Sequence, residues 1–177
     1  MFQKFHILRI KMVEKKFVVP ERRLSYNGPI DITDFFKSVE DWIEKKGMHK
    51  EIKKKTQEVQ AKHRRVEWFI EIWEMPADYA KPVVRMQALL KNIKDAHVMV
   101  KGKKRNIQTA EVLVIIDGIL ETDLEARWYQ KPTYYFLRAV YDKYISKFYT
   151  NRFEGKLTKD TNELYHHLMN YFNSYRA

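Results

Sequence analysis

Between Val66 and Trp73 the chain alternates strictly: Val66, Trp68, Ile70 and Ile72 take every second position, against Glu67, Phe69, Glu71 and Trp73. Successive side chains of a strand point to opposite faces, so this segment commits one face to a core and leaves the other mixed. A sheet with one buried face must be covered by a second layer. The period-two pattern returns at Val84, Met86, Ala88 and Leu90, against Arg85 and Gln87. It returns again from Gln108 to Asp123, where Ala110, Val112, Val114 and Ile116 share a face and Gly118 suggests a bend or bulge.

Helical periodicity supplies the cover. Ile32, Phe35, Phe36, Val39, Trp42 and Ile43 recur at spacings of three and four behind Asp31 and Asp34, which resemble an N-cap and an acidic first turn. Lys45, Lys46 and Gly47 close this helix with a cationic last turn and a terminal glycine. Pro132 suits a second helix start, with a stripe of Tyr134, Leu137, Val140, Tyr141, Tyr144, Ile145 and Phe148. A break is expected at residues 151 to 155, and a last helix opening at Asp160 with Leu164, Leu168, Tyr171, Phe172 and Tyr175 inward. Residues 13 to 26 read as an edge strand because Pro20 cannot donate to a ladder, and Asn27-Gly28-Pro29 reads as a turn. His49 to Ala61 reads as a polar, solvent-facing strand, and Asn92 to Asp95 as a kink or bulge before Val98-Met99-Val100. The plan is α+β: a curved antiparallel sheet covered by helices, with a long C-terminal helix and an extra terminal one.

With 177 residues, the chain suits one domain, expected over 12–177 behind an extension at 1–11, and Met12 offers a second plausible start. Cysteine is absent, which excludes disulfides, thiolate metal sites and cysteine nucleophiles. Apolar runs such as Val112 to Ile116 fall far short of the roughly 20 residues of a membrane span. Lys4, His6 and Arg9 interrupt the N-terminal apolar residues as no signal peptide would tolerate, so a cytoplasmic location is expected.

The order of strand, helix, antiparallel strands and C-terminal helix resembles the helix-grip fold of the START and Bet v 1-like superfamily, over roughly residues 13 to 150. The resemblance is topological. It implies a core or cavity between sheet and helix, lined by residues such as Trp68, Met86 and Tyr141. It implies no reaction, since one fold hosts many functions.

Charge is the strongest functional signal. Lys and Arg number 34 against 23 acids, a formal net charge of +11. Dense charge of both signs suits an ion-pair-rich surface, but that does not account for the excess. Two basic clusters, Lys62-His63-Arg64-Arg65 and Lys101-Gly102-Lys103-Lys104-Arg105, fall where hairpins should turn. In an antiparallel meander those two turns share one end of the sheet. With Lys53 and Lys55 from the preceding strand they are expected to form a single electropositive patch, fit for a polyphosphate backbone. Lys143 and Lys147, one helical turn apart among interleaved tyrosines, would extend it. Solvated or aggregation-blocking edge lysines are the plainer explanation of the same residues.

No catalytic motif stands out. The histidines at 6, 49, 63, 97, 166 and 167 lack ligand spacing, so no metal site is expected. Glu67 and Glu71 read equally as members of cross-strand ion pairs. Only 5 glycines occur and no phosphate loop, which disfavours nucleotide enzymes and predicts no cofactor. The expectation is a non-enzymatic binding protein engaging an RNA backbone, on the ribosome or another ribonucleoprotein. The alternatives are a carrier of a small apolar ligand and a homo-oligomeric module joined through the edge strand at Phe17 to Leu24.

Overall fold

The computed structural model describes residues 14–60, 63–76, 80–100, 103–122 and 147–175. Strand β1 (Glu14–Ile30) leads into helix α1 (Ile32–Lys46), followed by strands β2 (His49–Gln60), β3 (His63–Trp73), β4 (Ala80–Val100) and β5 (Lys103–Thr122) and by helix α2 (Lys147–Asn173). The five strands form one open antiparallel sheet in the order β1-β5-β4-β3-β2. β1 and β2 are neighbours in sequence but occupy opposite edges, so α1 carries the chain across the sheet.

The alternation sets which face is buried. Trp68, Ile70, Ile72, Met86, Leu90, Val114 and Ile116 are almost wholly enclosed, and they meet Phe35, Val39 and Ile43 of α1 and Leu157, Leu164, Leu168 and Phe172 of α2. Each such side chain is worth about 1.5–3 kcal/mol relative to exposure. Aromatic rings join the layers. Phe172 stacks on Tyr26 at 4.8 Å and on Phe35 at 5.7 Å, while Phe36 meets Trp68 edge-on at 4.7 Å.

Helix α1 is bounded as its sequence predicts. The Asp31 carboxylate accepts from the Thr33 and Asp34 amides, and Gly47 ends the helix at φ 65°. The expected kink in β4 is a bulge between Lys91 and Lys94 with Asn92 at φ 52°, and pairing with β5 resumes beyond it. β4 therefore runs through Val98, Met99 and Val100 as a single strand.

Two expectations fail. Asn27, Gly28 and Pro29 do not turn; they pair with Glu111, Ala110 and Thr109 in the body of β1. Here the glycine makes room for a ring. A Cβ on Gly28 would lie 2.9 Å from Tyr26 Oη, which donates to the Pro29 carbonyl at 2.7 Å. Nor does the chain break at residues 151 to 155, and Asp160 is no N-cap. α2 runs unbroken through both, since Lys16 to Glu154 (2.6 Å) and Lys156 to Glu74 (2.6 Å) tie this stretch to the sheet and Leu157 is buried against it. Packing outweighs the roughly 1 kcal/mol cost of a helical glycine. Asp160 instead lies buried in mid-helix, accepting from Lys46 Nζ at 2.9 Å, and Lys46 also pairs with Glu163. The expected separate terminal helix is thus part of α2. Most of the aromatic helix expected from Pro132, including Tyr141, lies outside the described residues, as does Met12.

Candidate nucleic-acid interface

The two hairpins do turn at the same end of the sheet. Gln60 pairs with His63 across the first, and Val100 with Lys103 across the second. They do not end at one level. The last β3 pairing to β4 is Arg64 with Ile93, and β1 leaves β5 at Gln108, whereas β4 and β5 continue together from Ala96–Ile107 to Val100–Lys103. Five paired positions at about 3.3 Å make a two-stranded ribbon projecting roughly 16 Å past its neighbours.

This offset separates the clusters. Near the sheet, the bases of the first are largely matched by acids. Arg64 contacts Asp95 at 3.1 Å, Arg65 approaches Glu67 at 3.8 Å, and Lys54 contacts the same Glu67 at 2.9 Å. Lys53 lies 2.7 Å from Glu51 and 3.3 Å from Glu71, and the Glu51 hydrogen bond leads in raising its pKa. Burial pushes Glu71 upward, but hydrogen bonds from Arg85 and Lys53 outweigh it and hold the carboxyl below its ordinary value. Lys54 does the same for Glu67 by a direct hydrogen bond. The acidic pair is thus a set of cross-strand ion-pair partners. Lys55 has no acidic partner among the described residues, and its Nζ lies 4.8 Å from the centre of the Phe36 ring.

The ribbon is different in composition. From Lys94 to Gln108 the sequence holds five bases, Lys94, Lys101, Lys103, Lys104 and Arg105, against one acid, Asp95, which Arg64 already engages. Lys103, Lys104 and Arg105 stand on β5 opposite Val100, Met99 and Val98. The two clusters thus stand at different levels of the same end: a shoulder whose described bases, Lys55 apart, pair with acids, and a projection that is basic in sequence. Lys62, Lys101 and Lys143 lie outside the described residues.

Lys147 does not extend the projection. α2 begins there, passes Lys16 and Glu74 at one end of the sheet through Glu154 and Lys156, and reaches Asp31 through Tyr171 near the ribbon. The helix therefore starts toward the opposite end of the sheet from the hairpin tips. Sequence reasoning also missed exposed Lys91 and Lys94 at the foot of the ribbon. There an open polar cleft of about 350 Å³ is lined by Asn27, Asn92, Lys94, Thr109, Ala110 and Glu111.

Two of the residues named for an apolar cavity, Trp68 and Met86, lie in the packed interior, and the third, Tyr141, is outside the described residues. Trp68 and Met86 are 1% and 0% exposed on adjacent strands of the inner face. Trp68 Nε1 is buried without a hydrogen-bond partner among the described residues. The edge strand β1 exposes Phe17, but between Val19 and Arg22 its ladder is interrupted by a bulge with Glu21 at φ 45°. The Glu21 amide turns to Asp117 Oδ1 at 2.9 Å, and Arg22 reaches Asn162 of α2 at 2.7 Å. That interruption blunts the edge as a template for a second chain.

Among the described residues no group of three or more His, Asp or Glu side chains is placed to hold a metal ion. His166 and His167 face different ways: His166 is exposed, and His167 Nε2 lies 2.8 Å from Ser38 Oγ. No helix among the described residues is long and apolar enough to cross a membrane. No protein-family model matches the chain, and no curated protein matches it.

Proposed function

We propose that this protein is a non-enzymatic RNA-backbone-binding protein that reaches its partner, a ribonucleoprotein such as the ribosome, with the β4–β5 ribbon. One observation carries the reading: the described bases of the shoulder other than Lys55 are answered by acids, whereas the ribbon that clears the sheet, residues 96 to 107, holds four bases and no Asp or Glu in its sequence. Phosphates neutralised by such residues release counterions, and log K falls with log salt at about −0.7 per contact on a single strand. Four contacts give a slope of about −3. Replacing Lys103, Lys104 and Arg105 together by Glu is expected to weaken binding of a single-stranded RNA at least about 100-fold at 50 mM salt and to flatten the slope. Salt-independent binding, or a variant that binds like the parent, would sink the reading.

The strand order, the helix spanning the two edges and the C-terminal helix on the inner face fit a five-stranded form of the helix-grip fold. A second reading follows from it and from the orphaned Trp68 Nε1, a buried donor on the inner face. The protein would then carry a small, largely apolar ligand with one acceptor. Mass spectrometry of the native protein is expected to show a co-purifying molecule lost in Met86→Trp; ligand-free protein counts against this reading.

A further inference from the structure

The open cleft at the foot of the ribbon has a chemistry the ribbon lacks. Its volume of about 350 Å³ lies at the low end of the range for ligand sites, large enough for one nucleotide. Asn27 and Glu111 are cross-strand partners on the outer face, and Lys94 stands opposite Thr109 one step toward the ribbon. Asn92 belongs to the β4 bulge and adopts a left-handed backbone, φ 52°, a conformation that asparagine tolerates better than most residues. Bulges re-aim side chains, and this one brings Asn92 Nδ2 to 2.9 Å from Glu111 Oε1. That contact holds the carboxylate, and Asn27, Asn92 and Glu111 are all exposed residues.

A carboxylate at the centre of the cleft repels phosphate, so this is no extension of the backbone track. It accepts N–H groups, while Lys94 and the amides donate. Among the four bases, the Watson–Crick edge of guanine alone sets two adjacent N–H donors beside a carbonyl acceptor, which matches one carboxylate flanked by donors. In a duplex that edge is occupied, so only an unpaired base can enter. We propose that the cleft reads one unpaired guanine of the strand whose phosphates the ribbon holds, with Glu111 accepting from N1 and N2 and Lys94 or Asn92 donating to O6. The inference rests on the RNA reading above and adds a base-specific site to it.

The experiment uses fluorescence anisotropy with labelled uridine 12-mers carrying one central G, A, C or U, titrated with the full chain and with Glu111→Gln, Asn92→Ala and the ribbon triple Glu variant. The parent is expected to favour the G-containing strand about tenfold, in line with a few kcal/mol at most for a bidentate base contact. Glu111→Gln and Asn92→Ala, both at exposed positions, should each bring G to the level of U while keeping the salt slope. The triple variant should lose all four strands alike. Equal binding of all four strands by the parent overturns the base site and leaves the backbone reading intact. A guanine preference that survives in both cleft variants places recognition elsewhere and also overturns it. Absence of salt-dependent binding to any strand overturns both.

Discussion

At Gly118 the sheet and α2 come closer than any side chain would allow. A Cβ there would lie 2.8 Å from Thr161 Oγ1 and 3.3 Å from Leu157 Cγ, and the threonine cannot swing aside because it donates to the Leu157 carbonyl at 2.7 Å. Gly118→Ala is expected to cost about 1–3 kcal/mol, read as a lower denaturation midpoint with an unchanged slope. An unchanged midpoint would mean that helix and sheet do not meet here. Glu71 makes a second prediction, this one pH-dependent. Its pKa is held below 4.5 in the folded chain, chiefly because the Arg85 and Lys53 hydrogen bonds outweigh the upward push of burial. A carboxylate depressed on folding stabilises the protein at pH values above its unfolded pKa, and this contribution disappears as pH falls through the folded value. The gap in denaturation midpoint between the parent and Glu71→Gln should therefore be full at pH 7 and narrow as the pH is taken below 4.5; curves that stay parallel through the acid range would refute it.

Helix α2 shows what local sequence can and cannot decide. Gly155 sits inside it with open space where a Cβ would go, so Gly155→Ala should stabilise the protein by about 0.5–1 kcal/mol. Destabilisation would instead indicate a break at that point. Residues 151 to 155 looked like a break because propensity is a short-range signal, and the contacts that override it come from Lys16 and Glu74, far away in sequence. Asn27-Gly28-Pro29 misleads for the same reason, since its partners lie on β5. By contrast, α1 was legible from end to end, because its caps and its stripe are all local. So were the inner faces of β3, β4 and β5, where alternation alone selects the buried side. The candidate site was half legible. Meander topology predicts that the two hairpins share an end, but strand length beyond the neighbours, and which acid faces which base, depend on register. The cleft was invisible for that reason: a kink at Asn92 could be anticipated, its contact with Glu111 could not.

For the whole molecule, the strand order has a consequence for how the chain is made. β2, β3, β4 and β5 pair with their sequence neighbours across hairpins, whereas among the described residues the only strand partner of β1 is β5, with Ile30 opposite Gln108 and Glu14 opposite Thr122. Closing loops of that length is entropically slow, so the meander should form first and β1 dock last. Pulse-labelled hydrogen exchange during refolding is expected to protect β3 and β4 amides before those of β1, and simultaneous protection would exclude this order. During synthesis at about 5–20 residues per second, β1 and the apolar face of α1 would wait several seconds for the strand that completes them. A strand made before its partner is then the last to find its place, and Pro20 and the charges of β1 keep it from pairing with another chain in the interval.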